Sequence, residues 1–152
     1  MAVGIALKVD LEGLPGLEKR LNALAAFGET GRKTLLADIG EEIVSQTLEH
    51  FQTETGPDGA AWKKSQRAAA QGGLTLTDTA RLRTSIKRNL GADFVEVGTN
   101  VIYGAIHQLG GDAGRGHAVH LPARPYLPEN VDQIKSLDAL VDELIGRMAG
   151  TL

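Results

Sequence analysis

The feature that most constrains this chain is a long apolar stripe at helical spacing in residues 30–51. Its members are Leu35, Leu36, Ile39, Ile43, Val44, Leu48 and Phe51. Acidic residues, among them Asp38, Glu41 and Glu49, occupy much of the remaining surface, so the pattern predicts an amphipathic helix with one buried face. We expect this helix to pack on a β-sheet, because its long stripe needs a broad apolar partner.

Strict alternation predicts the clearest strand of the sheet. The alternating apolar residues are Val3, Ile5, Leu7, Val9 and Leu11, separated by Gly4, Ala6, Lys8 and Asp10. This period of two is typical of a strand with one buried face. Two more strands are predicted at residues 86–90 and 94–98, with a turn at Gly91-Ala92-Asp93 between them.

Other segments predict helices with recognisable ends. Leu14, Leu17, Leu21 and Leu24 predict a helix that stops at Gly28. A short helix is expected at residues 78–86, capped by Thr77 or Asp78, with Leu82 and Ile86 on one face. Asn100 is expected to cap a helix that carries Ile102, Ile106 and Leu109 inward. Asn130 and Gln133 resemble a capping box for the last helix, which ends at Gly150.

Two polar, glycine-containing segments interrupt these elements. Residues 53–75 are expected to form a long loop with a brief helical turn at residues 66–71, and residues 110–120 a second loop with four glycines. Both are predicted to be mobile, because they contain few residues that would join a core. Residues 119–126 are expected to be extended, since Pro122, Pro125 and Pro128 each disfavour helix in the preceding residue.

Composition fits one domain spanning residues 1–152. The chain is 42% hydrophobic and contains no cysteine, which excludes thiolate catalysis and cysteine-zinc modules. No apolar run approaches the roughly 20 residues that cross a membrane, so we expect no membrane partner and a default location in the cytoplasm. The order of elements predicts an α+β fold, a mostly antiparallel β-sheet flanked by amphipathic helices.

Charge is distributed unevenly along the chain. Residues 61–90, the basic segment, carry seven basic side chains and one acidic one, whereas residues 1–60 carry five and ten and residues 91–152 carry four and eight. The seven are Lys63, Lys64, Arg67, Arg81, Arg83, Lys87 and Arg88. Two interpretations stay open. The basic segment is either a solvated surface that pairs with the acidic flanks, or a contact surface for an acidic partner, another subunit or nucleic acid.

No spacing of residues predicts a catalytic, cofactor or metal site. His107, His117 and His120 match no zinc motif, and no serine lies in a nucleophile elbow. Adjacent carboxylates such as Glu41 and Glu42 belong to solvated helix faces. A nucleic-acid-binding module is disfavoured by an aromatic content of 4% and by the absence of a recognised motif.

Two residues have both a structural and an interface interpretation. Trp62, the single tryptophan, either anchors its loop to the core or lies at the centre of an interface. Arg124 stands between Pro122 and Pro125 on a stiff segment, where its guanidinium would bind a carboxylate of its own chain or of a neighbour.

Several segments, in the same order, resemble the bacteriophage virion morphogenesis family, which includes tail-completion proteins. They are Phe51 with Gly56-Pro57-Asp58-Gly59-Ala60-Ala61-Trp62, residues 76–86 (LTDTARLRTSI), Val97-Gly98-Thr99-Asn100, residues 103–111 (YGAIHQLGG) and residues 121–127 (LPARPYL). The resemblance spans about two thirds of the chain. It departs at Gly104, where alanine is expected, and at Tyr126, where phenylalanine is expected.

The resemblance implies a non-enzymatic structural protein, without cofactors, that completes or terminates the phage tail and helps join it to the capsid. It implies a fold similar to tail-terminator and neck proteins, a ring-like homo-oligomer such as a hexamer, and contacts with the tail tube or sheath and with neck or connector proteins. Its expected location is the tail or neck of the virion, and the host cytoplasm during assembly. The candidate interface residues are Trp62, Lys63, Lys64, Arg81, Arg83, Arg124 and Tyr126.

Overall fold

The computed structural model describes residues 4–10, 28–135 and 137–150. In chain order these residues form β1 (Ile5–Asp10), α1 (Gly28–Thr53), α2 (Gln66–Gln71), α3 (Arg81–Thr84), β2 (Lys87–Leu90), β3 (Phe94–Thr99), α4 (Gly104–Leu109), β4 (Gly111–Ala113), β5 (Val119–Leu121) and α5 (Leu137–Gly150). Two 3₁₀ helices, Arg115–His117 and Val131–Gln133, lie between them. The α+β class is confirmed. The helix expected at residues 14–27 falls outside the described residues.

The main sheet is antiparallel, with strand order β1-β3-β2. Val9 pairs with Val95 and Leu7 with Val97, so the alternating apolar residues of β1 share one face with the centre of β3. The predicted β1 and the predicted hairpin of β2 and β3 are both confirmed within the described residues. The sheet therefore offers one apolar face to a helix.

Helix α1 covers that face and forms the centre of the core. Leu35, Leu36, Ile39 and Ile43 are fully buried, and α1 contacts β2, β3 and α5. At Gly40 an added Cβ would lie only 2.7 Å from Cγ2 of Val95, so this glycine lets the helix approach the sheet closely. The predicted amphipathic helix is confirmed, except that Leu48 of the predicted stripe is exposed.

Two short helices differ from the prediction. Helix α3 has only four residues and follows Ala80, whose backbone is left-handed (φ 59°), so neither Thr77 nor Asp78 caps it. Helix α4 begins at Gly104 instead of after Asn100, which turns a different face to the core. As a result, the predicted core residues Ile102 and Leu109 are 83% and 67% exposed.

Strands β4 and β5 pair in a small hairpin. The sequence predicts a loop at β4, whereas β5 begins the segment 119–126 that is predicted to be extended. The hairpin is held by pairing of its backbone, and Val119 is exposed. Because its side chains form no buried face, the sequence shows no apolar alternation there. The long segment at residues 53–75 is closed on itself by hydrogen bonds. Glu54 accepts a 2.8 Å hydrogen bond from the amide of Thr75, and its carbonyl accepts another from the amide of Trp62. Mobility of the two segments stays a prediction.

The last helix begins later than predicted. Asn130 caps the 3₁₀ turn, accepting a hydrogen bond from the amide of Asp132, and the backbone becomes extended at Ile134. The buried side-chain amide of Gln46 then bonds both backbone groups of Lys135, at 2.8 Å and 3.1 Å. Because this pairing satisfies the backbone outside a helix, α5 starts only at Leu137.

Candidate partner-binding groove

The segments that carry the family resemblance meet in a buried polar scaffold. Oε1 of Gln108 accepts hydrogen bonds from the amides of Tyr126 and Leu127, both at 3.0 Å, and its Nε2 donates to the carbonyl of Leu127 at 2.9 Å. The Tyr126 hydroxyl donates to the carbonyl of Gly104 at 2.6 Å. These bonds attach the proline-containing segment of residues 121–127 to α4.

The two departures from the family pattern lie against each other. A Cβ at Gly104 would stand 3.1 Å from Oη of Tyr126 and 2.5 Å from Cγ2 of Thr99. Gly104 therefore makes room beside the hydroxyl that tyrosine adds relative to phenylalanine. Burial of this hydroxyl raises the pKa of Tyr126 far above its ordinary value, so the group remains a donor at every physiological pH.

Trp62 is part of the same scaffold. Its ring packs edge-on against Phe51, which also packs on Tyr126 at 5.1 Å between ring centroids. Its Nε1 donates to the carbonyl of Pro125 at 2.8 Å, and only 8% of the residue is exposed. These contacts support the anchor interpretation, because little of Trp62 remains available to a partner.

Arg124 binds no carboxylate of its own chain among the described residues, and binding to a carboxylate of a neighbour stays a prediction. Its Nε donates to the carbonyl of Lys63 at 2.6 Å, and its backbone amide donates to the carbonyl of His107. The residue is 5% exposed, and burial lowers the pKa of its guanidinium. Within the described residues no ion pair involves Arg124. Arg124 instead attaches its segment to the loop of residues 53–75, because its buried guanidinium needs an acceptor and the carbonyl of Lys63 provides one.

A pair of hydroxyls fixes α3 against the end of β3. Oγ of Ser85 donates to the carbonyl of Leu82 at 2.6 Å and lies 2.6 Å from Oγ1 of Thr99. Oγ1 of Thr99 also accepts a hydrogen bond from the amide of Val101 at 3.0 Å. Ser85 and Thr99 both lie in family-like segments, but nothing local in the sequence predicts their pairing, because they are 14 residues apart on separate elements.

The hydroxyl pair lies beside an open groove of about 750 Å³, which we call the basic groove. It is lined by Arg81, Thr84, Ser85, Lys87, Arg88, Asn89, Asn100, Val101 and Ile102. Three of these side chains are cationic and none is acidic. Asn89 and Asn100 add amide donors, and Ile102 exposes an apolar side chain. The groove therefore suits an acidic partner surface that also carries an apolar residue.

The structure separates the candidate interface residues into three groups. Arg81 lines the basic groove, whereas Arg83 lines another small pocket with Leu48 and Gln52. Lys63 and Lys64 are exposed and line neither. Trp62, Arg124 and Tyr126 are buried within the chain.

Two basic side chains of the basic segment form ion pairs within the chain, and only the pair of Arg88 with Glu41 reaches an acidic flank. Nε of Arg88 lies 2.6 Å from the carboxylate of Glu41, and Nη1 of Arg67 lies 3.7 Å from that of Asp78. Both pairs are partly exposed, so each contributes little to stability. The remaining basic side chains of the segment make no ion pair with another described residue.

A second groove, between α1 and α5, has the opposite charge, and we call it the acidic groove. Its volume is about 410 Å³, and its lining is Asp38, Glu41, Glu42, Ser45, Leu140, Glu143 and Arg147. Arg147 lies 3.3 Å from Asp38. The two grooves share no lining residue, but they adjoin through the pair of Arg88 and Glu41. Each copy of the chain therefore presents neighbouring surfaces of opposite charge.

The histidines do not form a metal centre within the described part of the chain. Nδ1 of His120 lies 2.9 Å from the carboxylate of Asp112, on the exposed β4–β5 hairpin. His117 contacts the carbonyl of Asp112, while His107 lies on α4. No group of three or more potential ligands is found among residues 4–10, 28–135 and 137–150. No helix in these ranges has the length and apolarity needed to cross a bilayer.

Buried histidines should make the fold sensitive to acid. His50 is 3% exposed, and His107 is partly buried. Nδ1 of each has no hydrogen-bond partner among the described residues. Burial lowers the pKa of both imidazoles; Lys135 lowers that of His50 further and Arg124 that of His107, while Glu49 and Asp58 partly oppose the shift at His50. The unfolded chain therefore binds these protons at a higher pH than the folded protein, which favours unfolding as the pH falls below about 6.5.

Urea unfolding at pH 7.5 and pH 5.0 measures this effect. The free energy of unfolding should be lower at pH 5.0, and a His50→Leu variant should lose less stability between the two values. Between pH 7.5 and 8.5 both imidazoles are neutral in the folded and the unfolded state, so the free energy of unfolding should depend on pH in the same way in wild type and variant. If both proteins lose the same free energy of unfolding between pH 7.5 and pH 5.0, the role given to His50 is wrong.

Residues 13–145 match the family model of the phage virion morphogenesis family, and this chain belongs to that family. Its role is therefore a structural or assembly role in the making of phage particles, and the family is not a known class of enzyme. The chain is 34% identical over 121 residues to the Mu-like prophage FluMu G protein 2 of Haemophilus influenzae, across 80% of this chain and 83% of that protein. It is also 34% identical over 95 residues to the putative capsid assembly protein G of Escherichia phage Mu, across 56% and 61%. No solved structure matches.

Proposed function

We propose that this protein completes or terminates the phage tail and helps to join it to the capsid, as a ring-like homo-oligomer at the tail or neck. One observation carries the proposal. The segments typical of the family build a fixed scaffold, and the exposed surface beside it is a charged groove with no catalytic constellation among the described residues. Such a groove suits docking to protein partners, here tail tube or sheath and neck or connector proteins.

The role is tested by deleting the gene from the phage genome that encodes it and imaging the particles. We expect filled heads, separate tails with irregular ends, and few joined particles. Adding purified protein to that lysate should restore infectivity, because it would complete the existing tails and let them join the filled heads. Malformed or empty heads beside normal tails would instead support a capsid assembly role, in line with the printed name of the phage Mu relative.

The alternative function is a nucleic-acid-binding module, and the cationic lining of the basic groove is the observation that favours it. No aromatic side chain lines this groove for base stacking, and Trp62 is buried. Retention of the protein on duplex DNA, measured between 50 and 300 mM salt, separates the two functions. Tight binding of the protein to DNA at 50 mM salt that falls steeply as salt rises would favour the alternative function.

A further inference from the structure

The two charged grooves are complementary in their unpaired charge. In the basic groove, Arg88 is already paired with Glu41, while Arg81 and Lys87 make no ion pair with another described residue. In the acidic groove, Asp38 is paired with Arg147, while Glu42 and Glu143 make none within the described residues. Two cations on one surface and two carboxylates on another thus lack an ionic partner within the described chain.

Each groove also offers one apolar side chain. Ile102 is 83% exposed at the basic groove, the highest value among the exposed large apolar residues of the described chain. Leu140 lies half-buried in the lining of the acidic groove. A side chain such as Ile102 gains free energy when a partner covers it, so its position beside Arg81 and Lys87 indicates a contact that is both apolar and ionic.

We propose that the basic groove of one copy receives the acidic groove of a second copy, with Arg81 and Lys87 facing Glu42 and Glu143 and with Ile102 against Leu140. This inference rests on the proposed function, and it names the surfaces by which the ring would form. Contact between two different surfaces is head to tail, and it closes into a ring when the rotation per copy permits. Pairing of two basic grooves is excluded because like charges would face each other.

The contact is weak in dilute solution. The attraction between the two exposed, charged surfaces weakens as salt rises, because counterions screen it over a Debye length of about 10 Å at 0.1 M. Self-association should therefore appear at high protein concentration and low salt, and a tail end that holds several copies side by side would strengthen it.

Charge exchange tests the pairing in the full-length chain. One variant carries Arg81→Glu and Lys87→Glu, and the other carries Glu42→Lys and Glu143→Lys. Sedimentation velocity at 50 mM salt should show that each variant alone associates at least about tenfold more weakly than wild type. An equimolar mixture of the two should associate as wild type does, because every contact in it regains opposite charges.

The matched control is Arg115→Glu, which reverses one charge on an exposed residue between β4 and β5 that lines neither groove. It should associate as wild type, and all variants should keep the wild-type circular dichroism spectrum and melting temperature. The proposal is overturned if the mixture stays as weak as its components, if Arg115→Glu weakens association equally, or if wild type remains monomeric at millimolar concentration and low salt. It is likewise overturned if reversal at Arg81 and Lys87 abolishes DNA retention and leaves association unchanged.

These results are independent of the test of tail completion. Rescue in the mixture together with normal tails in the deletion phage would keep the pairing and reject the tail role. Irregular tail ends in the deletion phage together with failed rescue would keep the tail role and reject the pairing.

Discussion

Replacing Gln108 with leucine should lower the free energy of unfolding by roughly 3–6 kcal/mol. The residue is 3% exposed, and its amide serves two backbone N–H groups and one carbonyl of Tyr126 and Leu127. Leucine fills a similar volume but serves none of them. Each buried group left unpaired costs about 1–3 kcal/mol, and small domains have only about 5–15 kcal/mol in total.

Urea unfolding followed by circular dichroism measures this loss. Gln52→Leu is the matched control, because Gln52 is an exposed glutamine on α1. It should change stability by less than about 0.5 kcal/mol. A loss below about 1 kcal/mol in Gln108→Leu would show that the segment of residues 121–127 is held by other contacts.

Truncating Tyr126 to alanine should cost about 3–5 kcal/mol, as is usual for a large aromatic side chain in a core. Its ring is fully buried against Phe51, and its hydroxyl binds the carbonyl of Gly104. Tyr126→Phe keeps the ring and removes only the hydrogen bond, so it should cost about 1–2 kcal/mol. Thermal and urea unfolding of the purified protein would give both values.

The other tyrosine provides the comparison. Tyr103 is 37% exposed, so Tyr103→Ala should cost less than about 1 kcal/mol. Equal losses at both positions would contradict the burial that distinguishes them. Tyr126 is one of the candidate interface residues. If Tyr126→Ala loses the expected stability in the free protein, any defect in assembly would follow from the weakened fold and not from a lost contact with a partner.

Position in the fold, and not residue type, decides whether an arginine supports the buried scaffold or lines the basic groove. Arg124 and Arg81 are both arginines of family-like segments, yet one is buried on a carbonyl and the other lines an open groove. The sequence indicates that both are candidates for a partner, because a planar cation can serve either role. Only burial and the nearest acceptor decide between them.

The sequence by itself determined the elements whose signal is periodic and local. The stripe of α1, the alternation of β1 and the turn at Gly91 each follow from apolar spacing or turn chemistry within a few residues. The ordered series of family-like segments likewise identified the family, because that signal lies in the order of motifs along the chain.

The tertiary structure alone decided what depends on contacts between distant residues. The side chain of Gln46 binds the backbone of Lys135, 89 positions away, just before α5 begins. Ser85, at the end of α3, lies in hydrogen-bond contact with Thr99 of β3. The start of α4 at Gly104 turned Ile102 outward, where the sequence predicts it inside. The basic groove arises for the same reason. Its lining comes from residues 81–89 and 100–102, and side chains on separate elements become neighbours only when the chain has folded.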